Sequence, residues 1–306
     1  MTRLRESAII SGMATLQPTK NRIRALKQEY DYLRIGKESL LKIIDEAEIA
    51  ESVYNSNAIE NSTLTLPETE KILLELEVSH NLSLREVFEA KNLARVMEYI
   101  RTKSQEEELT EKIILLLHKM LIENVDESIS GRFRKEHEYV RVGTHIAPAP
   151  GQVKQMIEKA LVVYSSDHEA YFADKIANFH LYFETIHPFN DGNGRIGRVI
   201  INYQLYRLGF PGIIIRDKEK KLYYRSFEEY RDNKITKTAE KVITLALTEA
   251  LHKRIAYLKG NTITNLAGYA KKIGKPISAI LNAAKRQTIS AFREKGVWKI
   301  GEENRL

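Results

Sequence analysis

The residues best suited to chemistry are crowded into one stretch, His187-Pro-Phe-Asn-Asp191-Gly192-Asn193-Gly194-Arg195-Ile-Gly197-Arg198. Pro188 disfavours helix at His187 and has no backbone N–H to donate, so a helix must end there. Beyond the Gly192-Asn-Gly194 turn an apolar helix begins at Arg195, and the first amides of a helix have no intrahelical partner. That is an anion site: glycines admit close backbone approach, the helix end favours negative charge by about 0.3–1 kcal/mol, and Arg195 and Arg198 offer forked donors suited to phosphate. Asp191 supplies a hard oxygen ligand for Mg²⁺, the usual companion of a nucleotide polyphosphate. His187 has an ordinary pKa near neutrality and suits removal of a proton from a hydroxyl.

Three other readings compete. Gly192-Asn-Gly194-Arg-Ile-Gly197 fits the letter of G-x-G-x-x-G, but the dinucleotide fingerprint needs a strand before it, and Phe179 to Ile186 has a helical pattern. His180, Glu184 and His187 share one helical face and could ligate a metal, yet their spacing is not that of a metalloprotease. A purely structural reading makes Phe189 core and His187 an interhelical histidine. It serves for each residue singly and poorly for all of them within one short segment.

The elements that must position these groups are mostly helices. Apolar residues recur at helical spacing through 20–58, 68–77, 83–102, 109–122, 152–164, 169–186, 194–208 and 237–258. Pro67-Glu68, Ser83 and Thr110 mark helix starts. Two stretches break the pattern. Val140 and Val142 alternate with polar neighbours before a Gly143-Thr144 turn and two prolines, which predicts a short hairpin over 138–146. The tail predicts a helix near 264–272, a turn at Gly274, a helix from Pro276 and a hairpin across 289–300.

Composition narrows the class. The 306 residues are 43% hydrophobic and 29% charged, as in an ordinary folded protein, and the absence of Cys removes thiolate nucleophiles, disulfides and iron–sulfur clusters. The N-terminal segment lacks the apolar run of an export signal, and Lys112 to Glu123 is too short to span a membrane, so a cytosolic protein with no membrane partner is expected. Net charge is +7, and residues 260–306 hold nine basic and three acidic residues, leaving 39 and 38 for the rest. The electrostatic footprint expected of a nucleic-acid binder is confined to the tail.

Every specified position of H-P-F-x-[D/E]-G-N-[G/K]-R-x-x-R is present from His187 to Arg198, and this stretch resembles the signature of the Fic (filamentation induced by cAMP) family. The upstream Gly131-Arg-Phe-Arg134 and the hairpin, which corresponds to the family's flap at 138–147, agree with it. The resemblance spans roughly 45–250 and implies a mainly α fold with a hairpin flap. It also implies transfer of AMP from ATP, with Mg²⁺, to a Ser, Thr or Tyr hydroxyl of a target protein. On it, His187 would deprotonate the target, Asp191 would hold Mg²⁺, Gly192, Asn193 and Gly194 would cradle phosphates, and Arg195 and Arg198 would grip the β- and γ-phosphates. Val140, Arg141, Val142, Gly143, Thr144, His145 and Ile146 would form a flap that pairs with the target as an added strand; an ordinary surface hairpin is the alternative.

Ser56-Asn-Ala-Ile-Glu60-Asn61 resembles the family's inhibitory pattern [S/T]-x-x-x-E-[G/N], which implies that Glu60 pairs with Arg198. The plainer alternative is a solvated Glu at a helix end capped by Asn61. Leu266 to Ile300 resembles a small excisionase-type winged helix-turn-helix, with 276–286 as recognition helix and Lys295-Gly296 at the wing tip near phosphates. A structural or oligomerisation module is the alternative there, and a homo-oligomer is compatible with it. The expected organisation is an N-terminal helical region over 1–44, a catalytic core over 45–250 and a winged-helix-like module over 251–306. A rival of another class is a DNA-binding regulator whose core senses nucleotide.

Overall fold

The computed structural model describes residues 15–75 and 82–303. The N-terminal segment read for an export signal, the end of the expected 68–77 helix and Arg305 lie outside the described residues. The chain is mainly α, as expected.

The first expected helix, 20–58, is two: α1 (Gln17–Leu33) and α2 (Glu38–Ile59). Gly36, at φ 70°, takes the left-handed conformation that lets the chain turn between them. A Thr65/Glu68 capping box opens α3 (Leu66–Glu70), which runs into a π-helical turn over Lys71–Glu75. There follow α4 (Leu84–Lys103) and α5 (Glu111–Ile122), the latter capped by the Thr110 hydroxyl accepting from the Ile113 amide. Strands β1 (Arg141–Val142) and β2 (His145–Ile146) make the expected hairpin, with Arg141 opposite Ile146.

Next come α6 (Val153–Ser166), α7 (Phe172–Ile186), α8 (Asn193–Arg207), α9 (Lys220–Asn233) and α10 (Lys237–Leu258). Of these, α9 was missed by the periodicity, although Tyr223, Ser226 and Tyr230 form its buried face. Two apolar clusters meet at α7 and α8. One contains Ile114, Leu117, Phe183, Phe189 and Tyr203, and the other Ile176, Leu181, Ile201, Leu247 and Leu251. Packed on both sides, the α7–α8 connection has little freedom to move.

The tail differs from its expected helix start: Thr262–Asn265 is a strand, β3, and α11 begins only at Leu266. After α11 (Leu266–Lys272) and α12 (Ile277–Lys285), β4 (Ala291–Glu294) and β5 (Val297–Glu302) complete an antiparallel sheet of order β3-β5-β4. Its small core holds Leu266, Ala270, Ile280, Ala284, Ala291 and Ile300. Both expected domain boundaries fall inside continuous helices, 44/45 in α2 and 250/251 in α10. The tail is fastened to the core by charge: Arg293 pairs with Glu249 of α10 at 2.6 Å and with Glu219 at 2.7 Å. The wing tip also touches the core. The Gly296 amide donates to Glu51 of α2 at 2.9 Å, and Lys295 pairs with Glu70 at 2.8 Å, while both residues stay exposed.

Candidate active site

Helix α7 ends at His187, whose backbone sits at φ 49° and ψ 62°, a left-handed helix exit ahead of Pro188, which cannot continue the helix. Burial pulls the His187 imidazole down to about 4, against a smaller upward pull from a hydrogen bond with the Glu184 backbone. The ring is therefore neutral at pH 7, the state a general base requires. The Glu184 carboxyl lies 3.9 Å from Nδ1 of His187, and burial, reinforced by nearby Glu60, pushes it up to about 8. At neutral pH these two form no ion pair despite their distance. Glu184 and His180 also crowd Gly197, where a methyl group would collide with both.

The loop from Pro188 to Gly192 is held from several sides. The Asn193 amide accepts from the Phe189 backbone N–H and donates to its carbonyl, both at 2.8 Å, which closes the loop on itself. His118 of α5 stacks on Phe189 with centroids 3.7 Å apart. Its Nδ1 accepts from the Gly131 amide, leaving Nε2–H to donate to the Asp191 carbonyl at 3.1 Å. Arg134 donates to the carbonyls of His187, Glu138 and Pro148, tying the end of α7 to both feet of the hairpin. The hairpin is fastened again by His145, whose Nε2 donates to the Thr185 carbonyl at 2.9 Å, while Val142 and Ile146 stay exposed.

Gly192 at φ 81° starts α8, so the first amides of that helix are free of intrahelical partners. An added methyl at Gly194 would run into the Glu60 carboxylate. That carboxylate accepts from Arg198 Nη2 at 2.8 Å, and Arg198 also donates to the Ser56 hydroxyl and carbonyl at 3.0 and 2.8 Å. The structure thus brings Ser56, Glu60, Gly194 and Arg198 together. Arg195, in contrast, is buried between Glu89 at 3.2 Å and Asp191 at 3.1 Å. Asp191 in turn pairs with Arg85 at 2.6 Å and accepts from the Gly192 amide.

Sequence reasoning missed the groups that hold these residues. Lys220 donates to the Asn61 side chain at 2.8 Å and Tyr224 to the Ile59 carbonyl at 2.9 Å, so α9 supplies a partner for the last carbonyl of α2. Tyr223 hydrogen-bonds His180 at 2.9 Å. His118 was legible as a histidine within an apolar helical run; the contacts from α9 had no signal once that helix was overlooked.

Residues 108–205, which include the whole of α7, the loop and nearly all of α8, match the Fic/DOC family. The matched stretch is a Fic/DOC-family domain. Protein adenylyltransferase Fic of Drosophila persimilis is 31% identical over 210 residues, covering 67% of this chain and 41% of the relative. The Drosophila virilis protein of the same name is 33% identical over 175 residues, 56% of this chain and 36% of its own length. This Fic-domain protein therefore spans well under half of the curated relatives it matches. A crystal structure of a Fic domain containing signaling protein from Bacteroides thetaiotaomicron superposes with a TM-score of 0.71 at 26% identity, covering 79% of this chain and 98% of that one. A Fic family protein from Desulfovibrio desulfuricans shares the fold over 94% of this chain and 97% of its own, with a TM-score of 0.62 at 20% identity.

Proposed function

We propose that this Fic-domain protein is a protein adenylyltransferase held inactive by its own α2. A target hydroxyl attacks the α-phosphorus of ATP, the new O–P bond forms as the bond to pyrophosphate breaks, and His187 takes the hydroxyl proton. The amides of Gly192, Asn193 and Gly194 and the Arg198 guanidinium stabilise the phosphates, a task that rests on positioning and charge. The Asn193 side chain, engaged with Phe189, acts by shaping the loop. The observation that carries this reading is a neutral imidazole beside a helix N-terminus against which a carboxylate, Glu60, already rests.

Mg²⁺ fits this chemistry in one mode. Among the described residues no cluster of three or more His, Asp or Glu could cage a metal, whereas Mg²⁺ is commonly bound by one or two carboxylates plus substrate phosphates. Asp191 is the residue that would hold it, once released from Arg85, whose side chain is 58% exposed and able to swing away. The ion would offset polyphosphate charge. Arg195, engaged with Glu89 and Asp191, would reach a phosphate only by leaving those partners. Target docking falls to the flap, Val140–Ile146, whose outer edge has no strand beside it among the described residues and can accept an extended segment.

Glu60 keeps Arg198 from the γ-phosphate and repels that phosphate. ATP then sits with its α-phosphate misaligned, and alignment accounts for about 7–11 kcal/mol of such barriers. The test uses two labels. Protein-bound label from α-labelled ATP, with none from γ-labelled ATP, is the expected result; label from the γ position alone would replace adenylyl transfer by phosphoryl transfer.

A second activity for the tail is favoured by one observation: Lys275, Lys285 and Arg286 lie exposed on and beside α12 with no ion pair among the described residues. We propose weak duplex DNA binding through this face and not through Lys295, which is paired with Glu70.

A further inference from the structure

A cavity of ≈ 190 Å³ lies between α6, α7 and the end of α9, and shares no residue with the loop from His187 to Arg198. Its walls are apolar and aromatic: Val163 and Tyr164 from α6, Phe179 and Tyr182 from α7, and Tyr230 from α9. An apolar cavity of about 150 Å³ accepts benzene, so this one has room for a molecule of about two fused rings.

The polar groups around it are nearly all donors. Lys159, Lys175 and Lys234 line the cavity and form no ion pair among the described residues. Two of these ammonium groups stand over aromatic walls, Lys175 at 5.0 Å from the Tyr164 centroid and Lys234 at 4.8 Å from that of Tyr230, which holds them at the pocket. The hydroxyls of Tyr164, Tyr182 and Tyr230 have no hydrogen-bond partner among the described residues, and burial raises all three so that each keeps its proton. The single carboxylate, Asp167, already accepts from the amides of Glu169 and Ala170. Three unpaired cations and three protonated phenols around a greasy interior are badly matched to a neutral hydrocarbon and well matched to an acid with an apolar body.

We propose that this cavity is a binding site for a small apolar acid, a one- or two-ring body bearing a carboxylate or phosphate monoester. The body fills the space against Phe179 and Val163, and the anionic end meets Lys175 and Lys234. Helix α7 lines the site with Lys175, Asn178, Phe179 and Tyr182 along one face and ends at His187, so the ligand lies against the element that presents the catalytic imidazole.

The experiment is calorimetric titration of the full chain with naphthoate, naphthyl phosphate and uncharged naphthamide. At least one of the two anionic probes should bind, and at least tenfold more tightly than the amide. Which of the two is preferred identifies the headgroup. In Lys175→Gln/Lys234→Gln that preference should vanish while the amide is unaffected, and Val163→Trp, a plug at a position 45% exposed, should weaken the anionic probe at least tenfold. Three results would overturn the proposal: no binding of either anion at millimolar concentration, equal binding of anion and amide by the wild type, or undiminished binding by folded Val163→Trp.

Discussion

Arg198 Nη2 and Glu60 Oε1 stand 2.8 Å apart, and the same carboxylate presses on Gly194 at the start of α8. A carboxylate that meets both a guanidinium and a helix N-terminus stands in the surroundings a phosphate would seek. Arg198 is buried and keeps three other contacts, two to Ser56 and one to Tyr223, so it stays in place when Glu60 is removed. This is why a charge deletion here should create function instead of destroying it.

His187→Ala should lower transfer by about 10²- to 10⁴-fold, the usual contribution of a general base, with ATP affinity changed by less than about threefold. Rates and nucleotide binding measured on the same folded protein check this. A parallel loss of ATP binding would reassign the imidazole to the nucleotide. In an NMR titration, the ring should protonate near pH 4 and stay neutral at 6.5.

Glu184 gives a stability prediction with a definite sign. Its folded carboxyl is pushed up to about 8 from an ordinary value of 4.5, so the stability it provides is complete below pH 4.5 and is lost as pH rises towards 8. Glu184→Gln keeps the neutral form at every pH. Its melting temperature relative to wild type should therefore climb between pH 5 and 8, corresponding to up to about 1.4 kcal/mol per pH unit. A constant difference across that range would show that Glu184 is charged when folded.

Much of the site could be read before any fold was known because it is local. The stretch from His187 to Arg198 holds a helix stop, a glycine turn and a helix start in sequence, and each is dictated by nearest neighbours. The pairing of Ser56 and Glu60 with Arg198 spans more than 130 residues, and only the family resemblance anticipated it. What could not be read was tertiary: Glu89 engaging Arg195, His118 supporting the loop, and the contacts of Lys295-Gly296 with Glu70 and Glu51. A charged residue's partner depends on packing, which leaves no periodic trace.

Arg293→Ala should be strongly destabilising. The guanidinium and Glu249 are 11% and 10% exposed, and breaking a buried pair from one side costs about 3–5 kcal/mol, a cost that Arg216, still 3.1 Å from Glu249, offsets in part. Chemical denaturation of the full chain measures this. A change under 1 kcal/mol would mean that the tail does not depend on this contact to dock.

Duplex DNA binding by the full chain, if it runs through α12, should weaken steeply with salt. Lys275→Glu/Lys285→Glu should reduce it at least tenfold at low salt, whereas Lys295→Glu should have less than half that effect because its partner is Glu70. No binding at 50 mM salt would make the tail's basic face a structural surface only.

The central claim is most directly tested by one comparison: AMP incorporated from α-labelled ATP, into the chain itself or into added cell proteins, by wild type and Glu60→Gly at matched concentration, with Glu60→Gly/His187→Ala as the chemical control. The account predicts labelling by Glu60→Gly at least tenfold above wild type, and none above background when His187 is also removed. Equal or weaker labelling by a folded Glu60→Gly protein would contradict it.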